Sequence, residues 1–148
     1  MEVQKDFKEL LELFGNRKIE SLVVGAYALA FYGAPRFTGD IDILVRPTSE
    51  NASKIVAALD AFGFASLGLK AEDFEKAGHV VQLGVPPVRI DLVTSLTGVT
   101  WEEAWEGKEP GKYGDVDVYY LGREQLVRNK RALGRKKDLA DLEALGDA

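Results

Sequence analysis

The sequence predicts an α/β (α+β) fold, a mixed β-sheet flanked by helices, in a single domain spanning residues 1–148. Short β-rich runs alternate with segments of helical period along the chain. A hairpin signal, two β-rich runs separated by Pro86-Pro87, lies among them, so the sheet is not purely parallel. The chain has 148 residues, 46% hydrophobic and 29% charged, the size and balance of one domain with one core.

The elements follow in order. Phe7, Leu10, Leu11 and Phe14 recur at spacings of three and four, an amphipathic helix over 5–14 ended by Gly15-Asn16. Ile19 to Val24 reads as a strand closed by Gly25, and Ala26 to Tyr32 as a short buried helix stopped by Gly33 and Pro35. Ile41 to Val45 is a second strand closed by Pro47. Ser49-Glu50-Asn51 opens a helix with Ile55, Val56, Leu59 and Phe62 on one face and Gly63 past its end. His79 to Leu83 and Val88 to Val93 form the hairpin. Trp101 to Trp105 is a helical turn and Val116 to Leu121 a last strand. A C-terminal helical part, about 123–148, holds helices over 123–133 and 135–145, closed by Gly134 and Gly146.

Composition excludes several chemistries. There is no cysteine, so disulfides, thiol catalysis and thiolate metal sites are ruled out, and a single histidine, His79, rules out a multi-histidine cage. Any metal here is held by oxygens, which selects hard cations such as magnesium or manganese. The longest apolar stretch, Ser21 to Tyr32, is too short to span a bilayer, and the first residues show no signal-peptide pattern, so a cytoplasmic protein with no membrane partner is expected.

The net charge of −5 is unevenly spread. Residues 1–122 balance to −7, residues 123–137 to +6 and the last eleven to −4. A basic strip on an acidic body is either a solvated helix face or a place where a polyanion docks.

The informative segment runs from Val23-Val24-Gly25-Ala26 through Pro35-Arg36-Phe37-Thr38-Gly39-Asp40-Ile41-Asp42. Asp40 and Asp42, two apart on a strand, leave the same face about 6.5–7 Å apart, while Ile41, Ile43 and Val45 face the core. Neighbouring carboxylates repel, and a divalent cation between them removes the repulsion. Asp91 interrupts the apolar run Val88-Arg89-Ile90-Asp91-Leu92-Val93, on a strand expected beside Ile41–Val45. It either adds a third carboxylate to a metal site or pairs with Arg89 or Arg36. Gly25 closes a strand and opens a helix, where free N–H groups favour phosphate.

The pattern Gly25-Ala26, Arg36-x-Thr38-x-Asp40-Ile41-Asp42 and a later Asp91 resembles the polymerase β-type nucleotidyltransferase superfamily. Its Arg-x-Thr-x-Asp-Ile-Asp form is similar to the AbiEii-like toxin branch and related small nucleotidyltransferases. The segment Lys130 … Gly134-Arg135-Lys136-Lys137-Asp138-Leu139-x-Asp141-Leu142 resembles the end of those proteins. The resemblance covers about half the chain. It implies NMP transfer from an NTP, with Asp40, Asp42 and Asp91 as catalytic metal ligands for Mg2+ (or Mn2+). It also implies Gly25, Ala26, Arg36, Thr38 and Lys130 as nucleotide-binding residues. One departure is visible: Ala26 stands where the second Gly or Ser of the motif is expected, which removes a hydroxyl but keeps the N–H.

Each of these residues has a plainer role open to it. Arg36 is a triphosphate ligand or a partner of Asp40 or Asp91, and Thr38 fits a loop hydroxyl. Lys130 shares an inward stripe with Leu126 and Leu133, so its ammonium must snorkel out or meet an anion. His79 reads as structural, and Trp101 with Trp105 as core or interface. The expected partners are an NTP, an RNA or tRNA end or a protein as acceptor, and a cognate antitoxin or toxin protein. Two other readings compete: an inactive nucleotidyltransferase-fold module that binds a partner protein, and a nucleic-acid binder that uses only the basic strip.

Overall fold

In the computed structural model, which describes residues 3–36, 38–85 and 88–147, the chain opens with helix α1 (Lys5–Asn16). Its Phe7, Leu10, Leu11 and Phe14 are all buried, as their spacing requires. Strand β1 (Ser21–Val24) passes straight into helix α2 (Gly25–Phe31), followed by β2 (Asp40–Val45) and α3 (Ser49–Leu59). Thr48 caps α3, its hydroxyl accepting from the Asn51 N–H. Short π and 3₁₀ turns fill 60–74, where Gly63 at φ 113° ends the regular helix and Phe74 is fully buried. Then come β3 (Val80–Val85), β4 (Val88–Val93), α4 (Trp101–Glu106), β5 (Glu109–Tyr113), β6 (Val116–Tyr120), α5 (Arg123–Leu133) and α6 (Lys136–Ala144).

The six strands form one mixed sheet in the order β3-β4-β2-β1-β6-β5. β2 runs antiparallel to β1 and parallel to β4, and β1 runs parallel to β6. The expected α/β architecture of a mixed sheet flanked by helices is what the chain adopts. Two-residue alternation sorts β2: Ile41, Ile43 and Val45 are completely buried on one face, and Asp40 and Asp42 leave the other, half-buried. Asn51 ties the outer ends of β1 and β2 together, accepting from Glu20 N–H and donating to the carbonyls of Glu20 and Arg46.

One strand departs from the expected pattern. β5 is built from Glu-Pro-Gly-Lys-Tyr, which carries no apolar alternation. It sits at the sheet edge, where a proline costs no ladder bond on its outer side, and it is held by its register with β6. The Pro86-Pro87 connection and Phe37 of the motif lie outside the described residues. Among the described residues, no helix is long and apolar enough to cross a membrane.

Candidate active site

Register brings the three aspartates together. In the parallel β2–β4 pairing Asp42 stands directly opposite Asp91 and Asp40 opposite Arg89. Opposed residues on neighbouring strands share a face about 4.8 Å apart, so three carboxylates and one guanidinium crowd one patch. Arg89 bridges it. Its Nε donates to Asp91 Oδ1 at 2.9 Å, and its Nη2 donates to Asp40 Oδ2 at 3.0 Å and Asp91 Oδ2 at 3.1 Å. Of the two pairings open to Asp91, Arg89 is therefore realised.

Asp42 is outside that clamp. Burial, then the charges of Asp91 and Asp40, push its carboxyl up from 3.8 to about 6, and the Lys130 ammonium only partly offsets them. A half-buried carboxylate beside two others lacks positive charge. The group wants a cation.

Gly25 sets the opposite wall. The β1–β2 register places Val24 opposite Asp42, and the chain then turns through Gly25 at φ +64° into α2. A Cβ on Gly25 would overlap the Asp42 carboxylate, with Cγ only 3.2 Å away. Glycine is needed there for both conformation and space. Ala26 is buried, and its N–H belongs to the first turn of α2, where no intrahelical acceptor is available.

The remaining predicted residues take more structural positions. The Thr38 hydroxyl accepts from Asp40 N–H at 3.1 Å and lies 3.3 Å from Asp40 O, so it fixes the start of β2 from within the loop. Arg36 pairs with neither Asp40 nor Asp91; its Nε lies 3.1 Å from Asp141 Oδ1 on α6. Lys130 does meet anions, but they are the protein's own: Nζ is 3.1 Å from Asp141 Oδ2 and 3.5 Å from Asp138 Oδ1. Lys130, Asp138 and Asp141 are all buried. Burial works against the Asp138 charge, yet hydrogen bonds from Arg135 and the Lys130 charge hold its carboxyl below the usual range. Asp138 and Asp141, three apart on α6, and Arg89, two before Asp91, are the site-forming residues to which sequence reasoning gave no catalytic role. Their signal was spacing alone.

The basic strip is largely neutralised from within. Arg123 and Arg131 pair with Asp147, Arg128 with Glu103, Arg135 with Asp138 and Lys130 as above. The +6 balance of 123–137 therefore does not stand as a free surface field. His79 is exposed, its ring Nδ1 lies 3.2 Å from the Asp73 carbonyl and its backbone bonds Thr94, and Trp101 stacks on Trp105 at 5.3 Å.

The donor set, carboxylate oxygens only, is of the kind that suits a hard divalent cation. Asp40, Asp42 and Asp91 offer oxygens on one face, and Arg89 occupies the place of a bridging positive charge. Among the described residues no three carboxylate or imidazole groups already surround a common point. Arg89 bonds Asp40 Oδ2 and both Asp91 oxygens, so a cation that takes those oxygens would displace it.

No family model matches the chain, and no curated protein matches its sequence. Solved structures do match in fold. A Thermotoga maritima protein assigned as a nucleotidyltransferase (TM1012) superposes with TM-score 0.62 at 16% identity, over 93% of this chain and 88% of that one. The lincosamide antibiotic adenylyltransferase LnuA, solved with lincomycin bound, gives 0.59 at 12% identity over 99% and 98%. An antigenic nucleotidyltransferase-like protein of Paracoccidioides brasiliensis gives 0.56 at 15% identity over 98% and 76%. The chain has the nucleotidyltransferase fold, and its aspartate patch lies on the strands that follow the Gly25 turn.

Proposed function

We propose that this protein is a magnesium-dependent nucleotidyltransferase that moves an NMP from an NTP to a macromolecular hydroxyl. The observation that carries the reading is the juxtaposition of Asp40, Asp42 and Asp91 on adjacent strands beside the Gly25 turn, within this fold. Asp40 and Asp42 would hold Mg2+ (or Mn2+) with the triphosphate, and Asp91 would complete the ligand set. The ion, when bound, would neutralise phosphate oxygens and make the acceptor hydroxyl easier to deprotonate.

The chain's own residues do the rest. Arg89 withdraws from Asp40 and Asp91 as the nucleotide enters. The N–H groups of Gly25 and Ala26 bind phosphate. Asp91 takes the proton of the acceptor hydroxyl as that oxygen bonds to the α-phosphorus. The α–β bridging bond breaks and pyrophosphate leaves, its charge offset by Arg36, which is 41% exposed at its side chain. Lys130, fixed by Asp138 and Asp141, offsets part of the charge around Asp42. Thr38 positions Asp40 through its backbone.

The Arg36-x-Thr38-x-Asp40-Ile41-Asp42 motif supports placement in the AbiEii-like branch and, with it, a toxin–antitoxin partner protein. For the acceptor, the internal pairing of Arg123, Arg128, Arg131 and Arg135 weakens the case for RNA and leaves Lys136 and Lys137 as its supports. A protein hydroxyl is equally served.

A second reading, an inactive module that binds a partner protein, is favoured by the Arg89 clamp and by Ala26. One experiment separates the two. The protein is incubated with labelled NTPs, Mg2+ and cell extract beside its Asp42→Asn variant. Label on one macromolecule, lost in the variant, supports transfer. Absence of both label and metal-dependent NTP binding leaves the module.

A further inference from the structure

One cavity among the described residues lies away from the carboxylates. About 700 Å³ opens between β1 and β6, at the end where β1 begins. Its cause is topological. The two strands are parallel yet meet in one register pair, Val23 with Tyr120, closed by Leu121 N–H donating to Val23 O at 3.0 Å. Continuing that ladder would pair Ser21 with Val118, and it does not continue; both residues line the opening instead. The Arg46 N–H bond to Glu20 O at 3.2 Å sets the alternation along β1. Glu20, Leu22 and Val24 thus bond toward β2, and Ser21 presents its peptide groups toward β6. A sheet peptide left without its ladder partner is a ready donor and acceptor for a guest.

The lining suits an amphipathic guest. Trp105 and Tyr119 meet edge to face at 5.8 Å, with Tyr119 43% exposed, and Val23 and Val118 add aliphatic surface. Lys108 Nζ lies 4.0 Å over the Trp105 ring and 5.0 Å over Tyr119, and Trp101 stacks on Trp105, so the guest meets the Tyr119 side of this aromatic wall. The two carboxylates at the cleft are committed: Glu20 to Arg46 at 2.8 Å and Asp117 to Lys112 at 2.7 Å. Lys18, also lining the cleft, is the cation these pairs leave over. It sits at φ 55°, the one non-glycine with positive φ among the described residues, a conformation that needs support from its surroundings. Volume, apolar lining and a few convergent polar groups are the properties of a small-molecule site.

We propose that this cleft binds a small, flat aromatic molecule carrying an anionic group. The ring lies against Tyr119, the anion meets Lys18, and a polar edge meets the Ser21 peptide. The guest supplies the contacts that the missing ladder pairs do not, so it also tightens the β5–β6 hairpin onto the sheet.

The test needs neither nucleotide nor metal, so its outcome is independent of the transferase reading. Anilinonaphthalene sulfonate, an aromatic anion, is titrated into the folded protein, with its emission excited through tryptophan. The expected result is saturable binding of one probe per chain that raises the melting temperature. Lys18→Gly should weaken affinity by about fivefold without lowering stability, because glycine accepts φ 55° freely. Tyr119→Ala should weaken it by about tenfold. Non-saturating binding, several probes per chain, or wild-type affinity in the Lys18→Gly variant would overturn the proposal, and that variant serves whether or not Tyr119→Ala folds.

Discussion

Asp42 occupies the space that a side chain on Gly25 would need. The two residues lie on neighbouring elements, β2 and the β1–α2 turn, and their contact sets the distance between the backbone at that turn and the carboxylate patch. A glycine whose sequence context marks a strand-to-helix turn suited to phosphate is therefore also a spacer for the carboxylate patch.

Gly25→Ala tests this. A left-handed conformation costs a non-glycine residue about 1–2 kcal/mol, and Asp42 must also be displaced. We expect a loss of about 2 kcal/mol in urea unfolding, together with a loss of Mn2+-dependent nucleotide binding much larger than that figure accounts for. Binding that survives at nearly wild-type strength would mean the spacing is not functional.

Asp42 itself gives a pH signature. Its folded-state carboxyl is raised to about 6 from 3.8, so the folded protein holds this proton more tightly than the unfolded chain. The sign follows: this group makes the protein more stable as pH falls from above 6 toward 4, and less stable as pH rises through 6. Asp42→Asn removes the charge. The metal-free variant should be more stable than wild type by roughly 2 kcal/mol at pH 7.5, with the advantage fading near pH 4. Equal destabilisation at both pH values in denaturant melts would show that Asp42 is structural.

Much of the fold was legible because periodicity encodes burial. Phe7, Leu10, Leu11 and Phe14 mark α1, and the Ile41, Ile43 and Val45 alternation marks β2 and its polar face. β5 was not legible, since Pro110 and Gly111 lack strand propensity and the strand exists only through its partner β6. In the site, Asp40, Asp42 and Asp91 converge as their strands suggested. The Arg89–Asp91 pair was one of the two open to Asp91, whereas the partners of Arg36 and Lys130 were not legible in the same way. An ion pair between α5 and α6, or between a loop and Asp141, depends on helix packing that no local spacing reports. The charge strip misled for the same reason: a linear count cannot see Asp147 or Glu103 folding back on it.

The buried Lys130 network makes a stability prediction. Lys130→Met leaves Asp141 with Arg36 alone and Asp138 with Arg135 alone, in surroundings that exclude water. Breaking one side of a buried pair typically costs about 3–5 kcal/mol. Adding Asp141→Asn should recover part of that loss, because the uncompensated charge is gone. A double-mutant cycle from thermal unfolding measures the coupling, and simple additivity would show that Lys130 and Asp141 do not depend on one another.

Arg89 supplies the last and most discriminating prediction. Its guanidinium bonds Asp40 and Asp91, so in the proposed metal site guanidinium and cation would compete for the same oxygens. Arg89→Gln removes the competitor and keeps a side chain of similar reach. Without metal, two crowded carboxylates lose their charge-assisted bonds, and stability should fall. With Mn2+ present the loss should be recovered, and Mn2+ affinity measured by electron paramagnetic resonance should rise about tenfold, equivalent to about 1.4 kcal/mol. The nucleotide then distinguishes two roles. If Arg89 is only a placeholder, NTP affinity in the presence of Mn2+ rises with that of the metal. If it moves onto the triphosphate when released, metal affinity rises while NTP affinity falls. Unchanged or weakened Mn2+ binding in the variant would refute the competition outright, since it would mean that Arg89 holds the aspartates ready for the ion.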